Sequence, residues 1–261
     1  MTYTALYVYA IVPAGDYTPE VTGVDGLPVE LVHAESGVSA VVHIHRAAPF
    51  EGNDDEVKSR IMQHGDVVED CWQSAPSVLP VSFNVIVAPS EDGARSAHAQ
   101  LRAWLDNTAV ELTEELERLA GTSELRVGIG LDPVAYCRDR EEIRGLETEL
   151  ENHSPGVRRL MSRRLETRRK ELTAAAADDL YPDLRRRIAT RCLDVEEQAA
   201  AADPGAEGVP VLSMSCLVGS EGVQELGQEL ADIRADNSGL SIRFLGPWPP
   251  YSFVTNSTLG S

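Results

Sequence analysis

The chain has 261 residues, 43% apolar and 25% charged, with 42 acidic against 23 basic groups and a net charge of −19. That length suits two domains, each able to bury a core without disulfide or metal support. So acidic a surface repels phosphate backbones and anionic lipid, so neither nucleic acid nor membrane is an expected partner, and a cationic protein surface is.

Residues 3–12 are β-branched and aromatic and stop at Pro13, which reads as a buried strand. A loop rich in glycine and proline follows over 15–28. Residues 29–33 and 38–45 flank Ala34-Glu35-Ser36-Gly37 as a hairpin. Its second arm alternates Val38, Ala40, Val42 and Ile44 with Ser39, Val41, His43 and His45. Asp54 or Asp55 caps a helix to about Ala75, with Val57, Ile61, His64, Val68 and Cys71 on one stripe. Residues 78–87 read as a strand, and Pro80 within it marks an edge or a bulge. Ser90 caps one long helix to Leu119, closed by Gly121.

A strand over 125–131 opens the second half. From 136 to 202 the chain reads as helical, with apolar stripes at Ile143, Leu146 and Leu150, then Val157 to Leu172, then, after Pro182, Leu184, Ile188, Cys192 and Val195. A strand over 209–218, a helix over 221–235 and a strand over 240–245 complete it. The expected fold is α+β in two domains. They comprise an N-terminal domain at 1–121 and a C-terminal one at 122–254 of modified ferredoxin-like type, with an antiparallel helical insertion at about 138–203. Residues 255–261 read as a loose tail. Residues 1–120 carry a net −13; the insertion is neutral, with seven basic groups packed into Arg158–Lys170.

Few constellations suggest chemistry. His43-x-His45 on a strand sets two imidazoles on one face, and with His64 or Asp66 they would make a zinc-type site and a metal-dependent hydrolase. The competing reading places the pair on the polar face of the hairpin. His64 and Cys71 lie about 10 Å apart along a helix, too far for a nucleophile and base. Gly219-Ser220-Glu221-Gly222 lacks the lysine of a phosphate loop and reads as a strand-to-helix turn. Cys71, Cys137, Cys192 and Cys216 are scattered, as free thiols of a reducing cytoplasm are. No apolar run reaches the roughly 18 residues of a membrane span. Met1-Thr2-Tyr3-Thr4 has no basic n-region, so no secretory signal is expected. No catalytic, metal or cofactor set is therefore expected.

The segment Gly246-Pro247-Trp248-Pro249-Pro250-Tyr251-Ser252-Phe253 is unusual. Three prolines hold an extended backbone from which three aromatic side chains hang. It is either a strap locked onto the protein's own core, where it could fix the two halves together, or a preorganised recognition segment. Because Trp248 follows a core strand, it is expected to be buried, with Tyr251 and Phe253 nearer the surface between the halves. This segment closely resembles the terminal signature of the GvpL/GvpF family of gas vesicle accessory proteins. Leu6-Tyr7-Val8-Tyr9-Ala10-Ile11-Val12 resembles that family's first strand. His64-Gly65-Asp66-Val67-Val68-Glu69, followed by Val78-Leu79-Pro80-Val81-Ser82-Phe83, resembles its helix–strand block. The chain departs from it at Ser82 and Asn84, where the family has Arg and Gly, at Leu125 in place of an aromatic, and at Gly156-Val157-Arg158-Arg159-Leu160, a loose echo of Gly-x-x-Tyr-Leu. The resemblance implies a non-enzymatic accessory or minor structural protein, in the cytoplasm or on the gas vesicle. It implies binding to the hydrophobic shell subunit of GvpA type and to other accessory proteins.

Overall fold

A computed structural model describes residues 4–15, 17–46, 48–151, 154–198 and 208–255. The chain divides into two compact units, Met1–Thr122 with Trp248–Ser261, and Ser123–Pro247. The expected division at 121 lies beside the first of these limits; residues 248–254, expected in the second domain, group with the first unit.

The first unit is built on β1 (Thr4–Pro13), with β2 (Glu30–His33) and β3 (Val38–Arg46) forming the expected hairpin. The sheet order is β2-β3-β1-β4, and β5 also pairs with β1. β1 and β3 run antiparallel with Tyr7 opposite His43, and the register shifts between Val8 and Ala10. This bulge reverses the two-residue alternation. Tyr7 before it, Tyr9 in it, and Ala10 and Val12 after it therefore enter one core cluster with Val41 and with Val67, Val68 and Cys71 of α1 (Asp54–Ser74). Asn53 caps α1 by accepting from Asp55 and Glu56 N–H, and Glu56 bonds back to the Asn53 N–H.

Two expectations for this unit are corrected. The strand over 78–87 survives only as β4 (Leu79–Pro80) and β5 (Ile86–Val87). Between them Asn84 has a φ of 71°, which no strand accommodates. Pro80 sits in β4 at the end of the sheet order, where its missing N–H costs no ladder bond. The helix expected from Ser90 is two helices, α2 (Ala97–Asn107), capped by Ser96, and α3 (Ala109–Leu119). They meet at Thr108, whose hydroxyl donates back to the Trp104 carbonyl at 2.8 Å and competes with the helical pattern.

The second unit runs β6 (Thr122–Leu131), α4 (Pro133–Cys137), α5 (Glu141–Glu151), α6 (Pro155–Ala189), β7 (Asp194–Glu197), β8 (Val209–Gly219), α7 (Gly222–Asp236) and β9 (Leu240–Trp248). Its strand order is β7-β8-β6-β9. Leu125, Val127, Ile129 and Leu131 alternate along β6, and Leu212, Met214, Cys216 and Val218 along β8. They bury against Leu226, Leu230 and Ile233 of α7 and Leu184 and Ile188 of α6.

Three further differences fall here. Pro182 lies inside α6 without ending it, so the two expected helices are one of 35 residues. The helical reading to 202 fails at Ala189: Asp194–Glu197 is the edge strand β7, with Val195 opposite Cys216. The rest of that span, 199–202, lies outside the described residues. β9 runs on through Gly246 and Pro247 to Trp248, so the strap begins as strand. No helix among the described residues is long and apolar enough to cross a membrane.

Gly246 holds a φ of 115°, and a Cβ there would stand 2.8 Å from the Glu124 carbonyl oxygen. Gly246→Ala is expected to lower the unfolding free energy by about 1–3 kcal/mol in urea titration. Gly145→Ala, inside α5 with nothing within 4 Å of its Cβ, is expected to raise it by about 0.5–1 kcal/mol.

Candidate functional site

His43 and His45 lie on the same face of β3, but that face is not the polar one. His43 is fully buried, while Ile44 on the opposite face is 54% exposed. β3 lies between β1 and β2, and its histidine face looks toward the core capped by α1. The His43 ring stacks on Tyr7 at 4.9 Å, and Phe50 and Phe83 close around Tyr7 and His64.

Two hydrogen-bonded chains account for every ring nitrogen. The Val81 carbonyl only accepts, so His64 Nε2–H donates to it at 2.9 Å and Nδ1 accepts from the Tyr7 hydroxyl at 2.9 Å. Tyr7 in turn accepts from the Asn84 N–H at 3.2 Å. The second chain starts at the Val24 N–H, which donates to Tyr9 at 2.7 Å; the Tyr9 hydroxyl donates to His43 Nδ1 at 2.6 Å. His43 Nε2–H then points at His45 Nδ1 at 3.4 Å, and His45 Nε2–H donates to the Ala48 carbonyl at 2.7 Å. Each of the three imidazoles spends both nitrogens inside the protein.

The structure thus brings His43, His45 and His64 together, but as a satisfied polar core. Asp66 is exposed on α1 and takes no part. Among the described residues no group of three or more His, Cys, Asp or Glu is placed to hold a metal ion. Burial holds His43 down to about 4, helped by the neighbouring His45, and burial holds His64 down to about 4 against the Val81 bond. Burial pushes Tyr7 up to about 12. Sequence reasoning missed the tyrosine partners. The signal was present in Tyr7-x-Tyr9, which shares the period of His43-x-His45 on the neighbouring strand.

The strap is the other candidate. Pro249 and Pro250 are buried, and Tyr251–Phe253 forms a 3-10 turn. Tyr251, expected nearer the surface, is 40% exposed, but the other two aromatic residues exchange places: Phe253 is 5% exposed and Trp248 41%. Trp248 ends a strand, and Phe253 is drawn inward by the turn. The turn is clamped onto α3. Arg118 donates to the Phe253 carbonyl at 2.6 Å, and Glu115 accepts from both the N–H and the hydroxyl of Thr255. Arg118 and Glu115 pair at 2.8 Å. Burial would raise Glu115, but the bonds from Thr255 and Arg118 outweigh it and hold the carboxyl below its usual range. Thr255, expected in the loose tail, is therefore fixed; 256–261 lie outside the described residues.

Residues 5–255 match the family model described as gas vesicle synthesis protein GvpL/GvpF. The chain is 30% identical to gas vesicle protein L2 of Halobacterium salinarum, covering 95% of this chain and 90% of that one. It is 27% identical to gas vesicle protein L of Haloferax mediterranei, over 89% and 72%. In fold it is similar to the crystal structure of gas vesicle protein GvpF from Anabaena sp., with a TM-score of 0.65 at 18% identity, covering 99% of both chains.

Both buried histidines bind a proton more readily unfolded than folded, so the unfolded state gains protons first as pH falls. Stability is expected to be full above about pH 6.5 and to fall toward pH 4, by up to about 1.4 kcal/mol per pH unit for each histidine. Urea midpoints across that range check this, and His64→Gln is expected to flatten the slope. Phe253→Ala is expected to cost about 3–5 kcal/mol and Trp248→Ala well under that, by the same titration.

Proposed function

The chain belongs to the GvpL/GvpF gas vesicle family, and on that footing we propose that it is an assembly factor that binds the hydrophobic shell subunit and other accessory proteins. The family consists of gas vesicle accessory proteins and not of known enzymes. The reading therefore assigns the chain a binding role, in the cytoplasm or on the vesicle, in place of catalysis.

The observation that carries this is the strap. Two large aromatic side chains, Trp248 and Tyr251, stand about two-fifths exposed on a backbone pinned by Pro249, Pro250, Phe253 and the Arg118–Glu115 clamp. Aromatic anchors on a rigid frame lose little conformational entropy on binding. An apolar partner such as a shell subunit offers them the burial that this chain does not. A surface of net −19 keeps such a complex in solution by self-repulsion.

The second unit is read as a ferredoxin-like domain. The succession β6, helices, β7, β8, α7, β9 and the strand order β7-β8-β6-β9 support that reading. On this reading α5 and the N-terminal part of α6 are the elaboration of that domain.

The test is co-purification of the chain with the shell subunit of GvpA type. Trp248→Ala/Tyr251→Ala is expected to lose at least about tenfold in retained subunit while its urea midpoint stays close to that of the unsubstituted chain. Unchanged retention would remove the strap from the binding surface. Absence of the shell subunit from the unsubstituted chain's complexes would remove the proposal itself.

A further inference from the structure

Two of the four cysteines meet in the second unit, where α6 hands over to β7. α6 ends at Ala189, and the chain leaving it turns back, with the Cys192 N–H bonded to the Ala189 carbonyl and the Cys192 thiol donating to the Ile188 carbonyl at 3.2 Å. The next N–H, that of Leu193, donates to the Leu217 carbonyl of β8 at 2.8 Å, and β7 then runs with Val195 opposite Cys216. Cys216 shares the inward face of β8 with Met214 and Val218, in the cluster that also packs Ile188 and Cys192. There the Cys216 thiol donates a hydrogen bond to Cys192 Sγ.

The four thiols differ in access and in acidity. Cys192 is partly exposed, whereas Cys216, Cys71 and Cys137 are buried. The bond from Cys216 holds the Cys192 thiol below its usual range, against its partial burial. The same bond, with burial, pushes the Cys216 thiol up. Burial pushes Cys71 up to about 12. Cys71 bonds to Tyr17 and Cys137 to Thr173, and each sits in a different cluster of buried residues from the one holding Cys192 and Cys216. A reachable thiol of lowered pKa with a second thiol directly behind it is the arrangement that thiol–disulfide exchange needs.

We propose that Cys192 and Cys216 are a redox-active pair whose substrate is a low-molecular-weight disulfide, with Cys192 as the attacking thiol and Cys216 as the resolving one. The Cys192 thiolate attacks one sulfur of the small disulfide. A bond forms between them, the original sulfur–sulfur bond breaks, and the released thiolate takes up the proton that Cys192 gave to solvent. The Cys216 sulfur then attacks Cys192 Sγ, the second small thiolate leaves, and it takes the Cys216 proton. Two protein thiols are oxidised to one disulfide, and one small disulfide is reduced to two thiols. The link ties the C-terminal end of α6 to β8 across about 25 residues of chain. In a reducing cytoplasm the pair stays open and closes only when small disulfides accumulate. The inference is independent of the strap and of the shell subunit.

The test treats the reduced full chain with excess oxidised glutathione and reads intact mass and mapped peptides by mass spectrometry. The expected product has lost two hydrogen atoms and carries a Cys192–Cys216 link, while Cys71 and Cys137 remain open to alkylation in urea. Cys192 is expected to react at least about tenfold faster than either of those two. Cys192→Ser is expected to prevent the reaction, and Cys216→Ser to halt it with one glutathione held on Cys192. Should Cys216→Ser fail to fold by circular dichroism, early time points of the unsubstituted chain are expected to show that adduct on Cys192 before the link forms. No reaction at Cys192, an adduct there that never passes to Cys216, a first adduct on Cys216, or a link through Cys71, Cys137 or a second copy overturns the inference.

Discussion

A phenol or an imidazole enters an apolar core only if every polar atom it carries finds a partner there. The first unit takes in two of each, packed ring against ring: Tyr7 and Tyr9 on the central strand, His43 beside them and His64 from α1. The arrangement of the unit follows from satisfying them. Val81 must present its carbonyl to His64, which fixes where the chain passes after β4. Asn84 must present its N–H to Tyr7, while its side chain makes two bonds to the Phe50 backbone and so ties down the segment before α1. Val24 must present its N–H to Tyr9, which draws the loop after β1 back over the sheet. Irregular backbone is thus positioned by buried side chains, where a ladder of strand bonds would otherwise have to do it.

That constraint also explains which parts of the structure were legible in the sequence. Strands and helices whose apolar residues repeat with a clear period, such as β6, β8 and α7, were found within a few residues of their limits. The misreadings lie where a polar group or a tertiary contact overrides the period. Residues 78–87 look like one strand because seven of them are apolar, yet Asn84 must turn to serve Tyr7 and Phe50. Asn is among the side-chain-bearing residues that tolerate this conformation best. Asp194–Glu197 carries three acids among four residues and has no strand signature of its own; pairing with β8 makes it a strand. His43-x-His45 was legible as a pair, but not as buried, because alternation alone does not say which face is inward when both faces hold apolar residues.

The strap shows the same division. Its rigidity was legible from its prolines, and its family likeness from its whole pattern. Its burial was not. The exposed Trp248 and the buried Phe253 depend on where β9 stops and on Arg118 and Glu115 of α3, more than a hundred residues away in the chain. The two aromatic residues left outside thus sit on a frame held by one carboxylate and one guanidinium, so the presentation of the strap is coupled to the ionisation of Glu115.

α6 has a consequence for how the second unit opens. At 35 residues it is about 52 Å long. Its two ends are secured very differently. Leu184 and Ile188 near its C-terminus are fully packed in the sheet core, whereas from Val157 to Arg164 the helix offers that core no buried residue. Amide hydrogens along this one helix will therefore exchange on a gradient, fast near the tip through local fraying and slow near the core, where only global unfolding exposes them. A single continuous helix can then behave as two cooperative units, one sharing the fate of the sheet and one able to form and dissolve while the sheet stays folded.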